Sequence, residues 1–158
     1  MNRDDFKKRT KEYSLRVIRL VESLPEDRVS RILGDQLLRA GTSVGANYRS
    51  SIRAKSRADF ISKMNIVEEE CDESLYWMEI LVDVGKVRAD RLAALMKEGN
   101  EIVAIVVASI KTARLLLTIR YPVSAFRYQL TRRARRSSRR DRGNPSTFRG
   151  AARRARAR

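Results

Sequence analysis

Arginine carries the clearest chemical potential in this chain. Arg49, Arg53 and Arg57 recur at four-residue steps with Lys55 between them, a spacing that aligns side chains along one helix face, where their charges can meet successive phosphates. The alternative is a solvated face that pairs with acids elsewhere in the chain. Farther on, residues 121–158 hold 13 Arg, no Lys and a single acid, Asp141. Arg132, Arg133, Arg135, Arg136, Arg139 and Arg140 form the densest part of that run. Guanidinium forks match phosphate oxygens bidentately, and arginine-rich arms bind polyanions through counterion release and can order on contact with RNA. The competing explanation is an extension whose charge has no selected purpose.

Other reactive types are sparse. The chain has no His, so the commonest general base and the commonest transition-metal ligand are missing. Glu68, Glu69, Glu70, Asp72 and Glu73 form the one acidic block, a composition that can hold a cation or move a proton. Most of that block falls off the apolar seam of its segment, which favours ion pairs with Arg39, Arg49 and Arg53 instead. Cys71, the lone cysteine, lies on that seam and reads as a small core residue with no disulfide partner. Asn47 is expected at a seam position, where a polar side chain fixes register. Tyr76 and Trp77 offer stacking faces, although a Trp beside a helical seam is usually packing. No enzymatic activity, cofactor or metal is expected.

The charge as a whole points to a polyanion. The 158 residues carry 35 Lys and Arg against 19 Asp and Glu, a net +16. Residues 1–120 hold 22 against 18, a difference of +4, and residues 121–158 hold 13 against 1, a difference of +12. One domain over 1–120 and a low-complexity, disordered basic tail over 121–158 are therefore expected. The charged N-terminus lacks a secretory pattern, and the most apolar stretch, 102–119, is broken by Lys111 and Arg114. A cytoplasmic protein that does not enter a membrane is expected.

Four helical segments must position these groups. Phe6, Tyr13, Val17, Leu20 and Leu24 make an a/d seam once Thr10 takes one slot, and Pro25 ends it before Glu26 and Asp27 open the next helix. Leu33, Leu37, Ala40, Val44, Asn47, Ser51 and Ala54 continue the spacing to about residue 55. Gly34, Gly41 and Gly45 each cost about 1 kcal/mol inside a helix, so close approach of another backbone is expected there, with ordinary tight packing as the simpler account. Ser56 with Asp59 resembles a capping box, Phe60 to Leu81 carries a third seam, and Gly85 marks its stop. From Ala89 a fourth segment runs through Leu92, Met96, Gly99, Val103, Val106, Ile110, Ala113 and Leu117. Its centre is apolar on every face, which predicts a homo-oligomer with Ile102, Val103, Ile105 and Val106 at the subunit contact. The fold expected is all-α, an antiparallel up-down-up-down four-helix bundle.

Three stretches, LLRAGTSVGANYR at 37–49, SRADFISKM at 56–64 and SLYWMEIL at 74–81, make residues 4–120 resemble the bacterial four-helix-bundle family, also called the 23S rRNA intervening-sequence proteins. That family is similar to the accessory proteins of diversity-generating retroelements. The resemblance implies a ring-like homopentamer with basic surface open to RNA or DNA, and no established reaction. Where many members have a glutamate and a glycine shortly after the asparagine matching Asn47, this chain has Ser50 and Ser51. The arginine tail lies outside the family pattern. Together these readings predict a non-catalytic, oligomeric nucleic-acid-binding bundle. The competing class is a protein-interaction scaffold, for instance an accessory subunit of a reverse transcriptase.

Overall fold

The computed structural model describes residues 2–120, and these form four helices with no strand among them: α1 (Arg3–Glu22), α2 (Arg28–Ser51), α3 (Arg57–Asp83) and α4 (Ala89–Arg120). The described residues up to Leu116 form one compact unit.

The starts of α1, α2 and α3 have local causes. Asn2 caps α1 reciprocally: its Oδ1 accepts from the Asp5 N–H at 2.8 Å, and its own N–H donates to Asp5 Oδ2 at 3.3 Å. Asp27 caps α2 by accepting from the Val29 and Ser30 N–H groups. Ser56 Oγ caps α3 by accepting from the Asp59 N–H at 3.1 Å, but the Asp59 carboxylate reaches one residue beyond a capping box, to the Lys55 N–H at 2.9 Å. The connection after α3 closes through Gly85 at φ +70°, a left-handed conformation that only glycine adopts without cost.

The α2 helix stops at Ser51, four residues before the expected boundary. No Gly or Pro marks the place. Instead Arg53 N–H donates to Ser50 O and Ala54 N–H to Ser51 O, i→i+3 bonds that tighten the chain out of the helix before Ser56 starts the next one.

Side-chain contacts fix the antiparallel order. Early α1 meets late α2, where the Phe6 and Tyr48 rings pack edge-on at 4.7 Å. Late α2 meets early α3, where Ser51 Oγ lies 3.2 Å from Met64 Sδ, and late α4 meets early α3, where Arg114 donates to Asn65 Oδ1. Between α1 and α2 the glycines do bring the helices close: a Cβ on Gly41 would sit 2.7 Å from Val17 Cγ1, and one on Gly45 would sit 3.3 Å from the Thr10 carbonyl oxygen. Ser14 Oγ donates across this contact to Gly41 O at 2.9 Å.

The core follows the expected seams of α1 and α3, with Thr10, Tyr13, Val17, Met64, Val67, Cys71, Ser74, Met78 and Leu81 all fully or almost fully enclosed. Its polar members satisfy one another. Tyr13 Oη and Ser74 Oγ are 2.7 Å apart, Ser74 Oγ donates to Cys71 O, and Cys71 Sγ donates to Gly99 O at 3.4 Å. This chain ties α1, α3 and α4 together, and leaving one buried member unpaired costs about 1–3 kcal/mol. Burial pushes the Cys71 thiol up to about 12, so it stays protonated as a core group.

Two seam assignments require correction. Asn47 is half-buried and donates to Ser43 O of its own helix at 3.0 Å, while Tyr48 occupies the core. In α4, Ile102 and Val106 are fully enclosed by the chain's own core, and Val103 and Ile105 pack against it half-buried. The expected subunit contact therefore loses Ile102 and Val106. The chain's own core covers this stretch, and its outward positions are Ala104 and Ala108, which expose little apolar area.

Candidate nucleic-acid interface

The antiparallel topology gathers the start of α1, the end of α2, the start of α3 and the end of α4 at one end of the bundle. Residues 2–11, 49–63 and 111–117, which make up that end, hold twelve Lys and Arg against three Asp, an excess of nine. The opposite end, residues 16–31 and 79–97, holds eight against six, an excess of two. Most of the described positive charge is thus on one end.

The cations predicted from spacing lie at this rich end. Arg49, Arg53 and Lys55 are exposed and Arg57 is half-buried, and among the described residues no carboxylate lies within ion-pair distance of any of the four. They do not share one helix face as their spacing suggested. Arg49 closes α2, Arg53 and Lys55 sit in the turn, and Arg57 opens α3. Asp59, in the first turn of α3, is occupied by the Lys63 ammonium at 2.5 Å and by the Lys55 N–H, and the ammonium first and the N–H second hold its carboxyl below the usual range.

Ion pairs with α3 were the alternative for these arginines, and the structure divides them. Arg39 Nη2 bonds Glu73 Oε1 at 2.5 Å, whereas Arg49 and Arg53 have no such partner among the described residues. Glu73 also accepts from Trp77 Nε1 at 3.1 Å, which holds the indole as packing. Glu70 is half-buried with Oε2 shielded from solvent and without a hydrogen-bond partner; that burial, then the neighbouring Glu73, raises its carboxyl above the usual range. Among the described residues no group of three or more His, Cys, Asp and Glu is placed to hold a metal ion. No described helix is long and apolar enough to cross a membrane.

The structure adds cations that spacing alone did not single out. Arg3, Lys7 and Lys11 form an i, i+4, i+8 row on α1, and Lys111 is exposed on the last turns of α4. The same four-residue rule that selects Arg49 to Arg57 would have found the α1 row, but its relation to α2 exists only once the helices pair. Arg9, by contrast, is held by Glu98 at 2.5 Å and by Glu101 of α4, and these acids keep its guanidinium firmly charged. Arg132, Arg133, Arg135, Arg136, Arg139 and Arg140 lie outside the described residues.

The fold and charge distribution can be set beside known proteins. The model of the 23S rRNA-intervening sequence protein family matches residues 4–108, which span the first three helices and most of the fourth. The chain belongs to this family. A similar fold is also seen in a solved structure from Bacteroides thetaiotaomicron, a protein of unknown function from the S23 ribosomal protein family. It shares 32% identity with this chain, covers 70% of this chain and 99% of its own length, and superposes with a TM-score of 0.66. No curated protein matches. Within this family frame, Ser51, which stands where a glycine was anticipated, is buried and donates to Tyr48 O at 2.8 Å. The position serves core packing in this chain.

Proposed function

We propose that this protein is a non-catalytic nucleic-acid-binding bundle that presents its cation-rich end, together with the arginine tail, to the phosphate backbone of RNA or DNA. The observation that supports this is the cluster of Arg49, Arg53, Lys55 and Arg57, four cations with no carboxylate partner among the described residues. Charges kept apart from acids remain available to displace counterions from a nucleic acid. The family description, which refers to an intervening sequence of 23S rRNA, agrees with RNA as a ligand.

Self-association belongs to the same reading, with a homopentamer as the assembly that the family resemblance implies. It is supported by outward apolar residues on α2 and α3: Val29 and Ile32 are 47% and 51% exposed among Arg28 and Arg31, and Ile66 and Tyr76 are exposed among Glu69, Asp72 and Glu79. Several copies would multiply weak contacts through effective concentration. Light scattering on the full chain tests this part, and a monomer mass would remove it. The acidic, aromatic outer face of α3 favours a second reading as a protein scaffold, such as an accessory subunit of a reverse transcriptase.

The binding claim is tested by titrating a labelled 20-nucleotide RNA with the full chain across a range of NaCl concentrations. Binding should weaken steeply with salt, and replacing Arg132, Arg133, Arg135, Arg136, Arg139 and Arg140 with Gln should flatten the dependence without abolishing it. A chain that binds no RNA or DNA at low salt would defeat the reading.

A further inference from the structure

The α1 row and the α2 cations lie on neighbouring helices that approach unusually closely. Thr10 and Ser14 face Gly45, which places the Thr10 carbonyl and the Ser14 hydroxyl against the second half of α2. Lys7 and Lys11 lie one turn before Thr10 and Ser14, so they flank that contact strip. At its end, Tyr48 Oη donates to Arg3 O at 3.4 Å, which brings the first turn of α1 beside the last turn of α2. Burial raises the Tyr48 hydroxyl, with the Arg3 charge opposing and the Asp4 carboxylate adding to it, so Arg3 and Asp4 both sit at this corner. Arg3 and Lys11 are exposed, and Lys7 is half-buried.

We propose that Arg3, Lys7 and Lys11 of α1, with Arg49 at the end of α2 and Arg53 in the turn that follows it, form one two-row surface that grips a nucleic acid by its phosphates alone, without reading bases. This rests on the nucleic-acid reading above and deepens it. Four-residue steps on a helix set the cations of the α1 row about 6 Å apart, and packed helices set neighbouring rows about 8–10 Å apart. Such a surface tracks a charged backbone from two sides.

Among the described residues the surface lacks two common means of base readout, open aromatic faces and free amides. Sequence-tolerant stacking needs open aromatic faces, but Phe6 and Tyr48 are buried against each other and Phe60 packs against the core. Tyr76, the exposed ring among the described residues, lies far along α3 between Asp72 and Glu79, whose charges repel phosphate. Amide side chains are the usual readers of adenine edges. At this end Asn2 accepts from the Asp5 N–H and Asn65 accepts from Arg114, so both are engaged within the fold.

The test uses the full chain and three fluorescent probes: a 20-nucleotide oligo-dT, a 20-nucleotide oligo-dA and a mixed-sequence 20-base-pair duplex. Binding is followed by anisotropy between 50 and 300 mM NaCl, about the range in which counterion release dominates. Lys7→Gln with Lys11→Gln should lower the salt slope by about 1.4–1.8, as should Arg49→Gln with Arg53→Gln. Lys7→Arg with Lys11→Arg should retain the wild-type slope, and circular dichroism should show the helices intact. Affinities for oligo-dT and oligo-dA should agree within about threefold, since stacking and edge contacts that separate bases are absent. If the α1 pair leaves the slope unchanged while the α2 pair lowers it, the two-row surface is wrong and the nucleic-acid reading stands. A preference of more than about tenfold between the single strands overturns the phosphate-only claim in the same way. Failure to bind any probe overturns both.

Discussion

The two ends of the bundle solve the same structural problem with different charge balances. At the end formed by the α1–α2 and α3–α4 connections, Asp27 caps α2 and also bonds Lys86 Nζ at 2.9 Å, so one carboxylate links both turns. Lys86 first and the Ser30 N–H second hold that carboxyl well below the usual range. At the other end, Ser56 caps α3 through a neutral hydroxyl, and Asp59 answers the Lys55 N–H and Lys63, while Arg49, Arg53 and Arg57 have no carboxylate partner among the described residues. One end uses the Asp27–Lys86 pair to hold its two turns together. The other achieves its turn with few acids and keeps its cations available to a ligand.

Four experiments break or sharpen that contrast. Charge reversal at the available end, Arg49→Glu with Arg53→Glu, should reduce RNA or DNA affinity by about a hundredfold or more at 0.1 M salt, because two contacts are lost and two repulsions added; anisotropy titration reads the effect. Next in size is Gly41→Ala, which drives a Cβ to 2.7 Å from Val17 Cγ1 and forces α1 and α2 apart. Urea unfolding should show a loss of about 1–3 kcal/mol, overpacking outweighing alanine's better helix propensity.

At the self-paired end, Asp27→Ala should lower stability while leaving nucleic-acid affinity unchanged. Because the folded carboxyl is depressed, its stabilisation is present above the ordinary carboxylate range and is lost as pH falls through the folded value. The stability gap between variant and wild type, measured by thermal unfolding, should therefore be widest near neutral pH and narrow in acid. The smallest effect is expected for Glu70→Gln. Burial raises this carboxyl, so its charged form is unfavourable in the folded state, and the variant should melt slightly higher at neutral pH, with the gain fading as acid protonates the wild-type group.

The fold was readable to the extent that local rules governed it. The α1 seam with Thr10 in one slot, the Asp27 and Ser56 caps and the Gly85 stop each depend on residues close in sequence, and each stands in the structure. Asn47 was misplaced because the α1–α2 approach through Gly41 and Gly45 rotates the buried strip of α2 onto Tyr48. The end of α2 at Ser51 depends on i→i+3 bonds that no local stop residue announces. Likewise the apolar centre of α4 suggests an open subunit contact, yet Ile102 and Val106 are enclosed in the chain's own core. Of the candidate interface, Arg49, Arg53, Lys55 and Arg57 were visible as a cluster, whereas the row of Arg3, Lys7 and Lys11 acquired meaning only when antiparallel pairing laid it beside α2.

The central claim is that nucleic acid meets one end of the bundle and not the other. It is tested most directly by comparing the salt slopes of two neutralised full-length variants, Arg49→Gln/Arg53→Gln/Arg57→Gln at the available end and Arg28→Gln/Arg31→Gln/Arg88→Gln at the self-paired end. The first should lower the slope by about 2–3, one contact per arginine. The second should leave it within about 0.5 of wild type, since unengaged charges beyond a Debye length of about 8–10 Å contribute little. Equal decreases in both variants would mean that binding follows net charge rather than this surface, and would contradict the account.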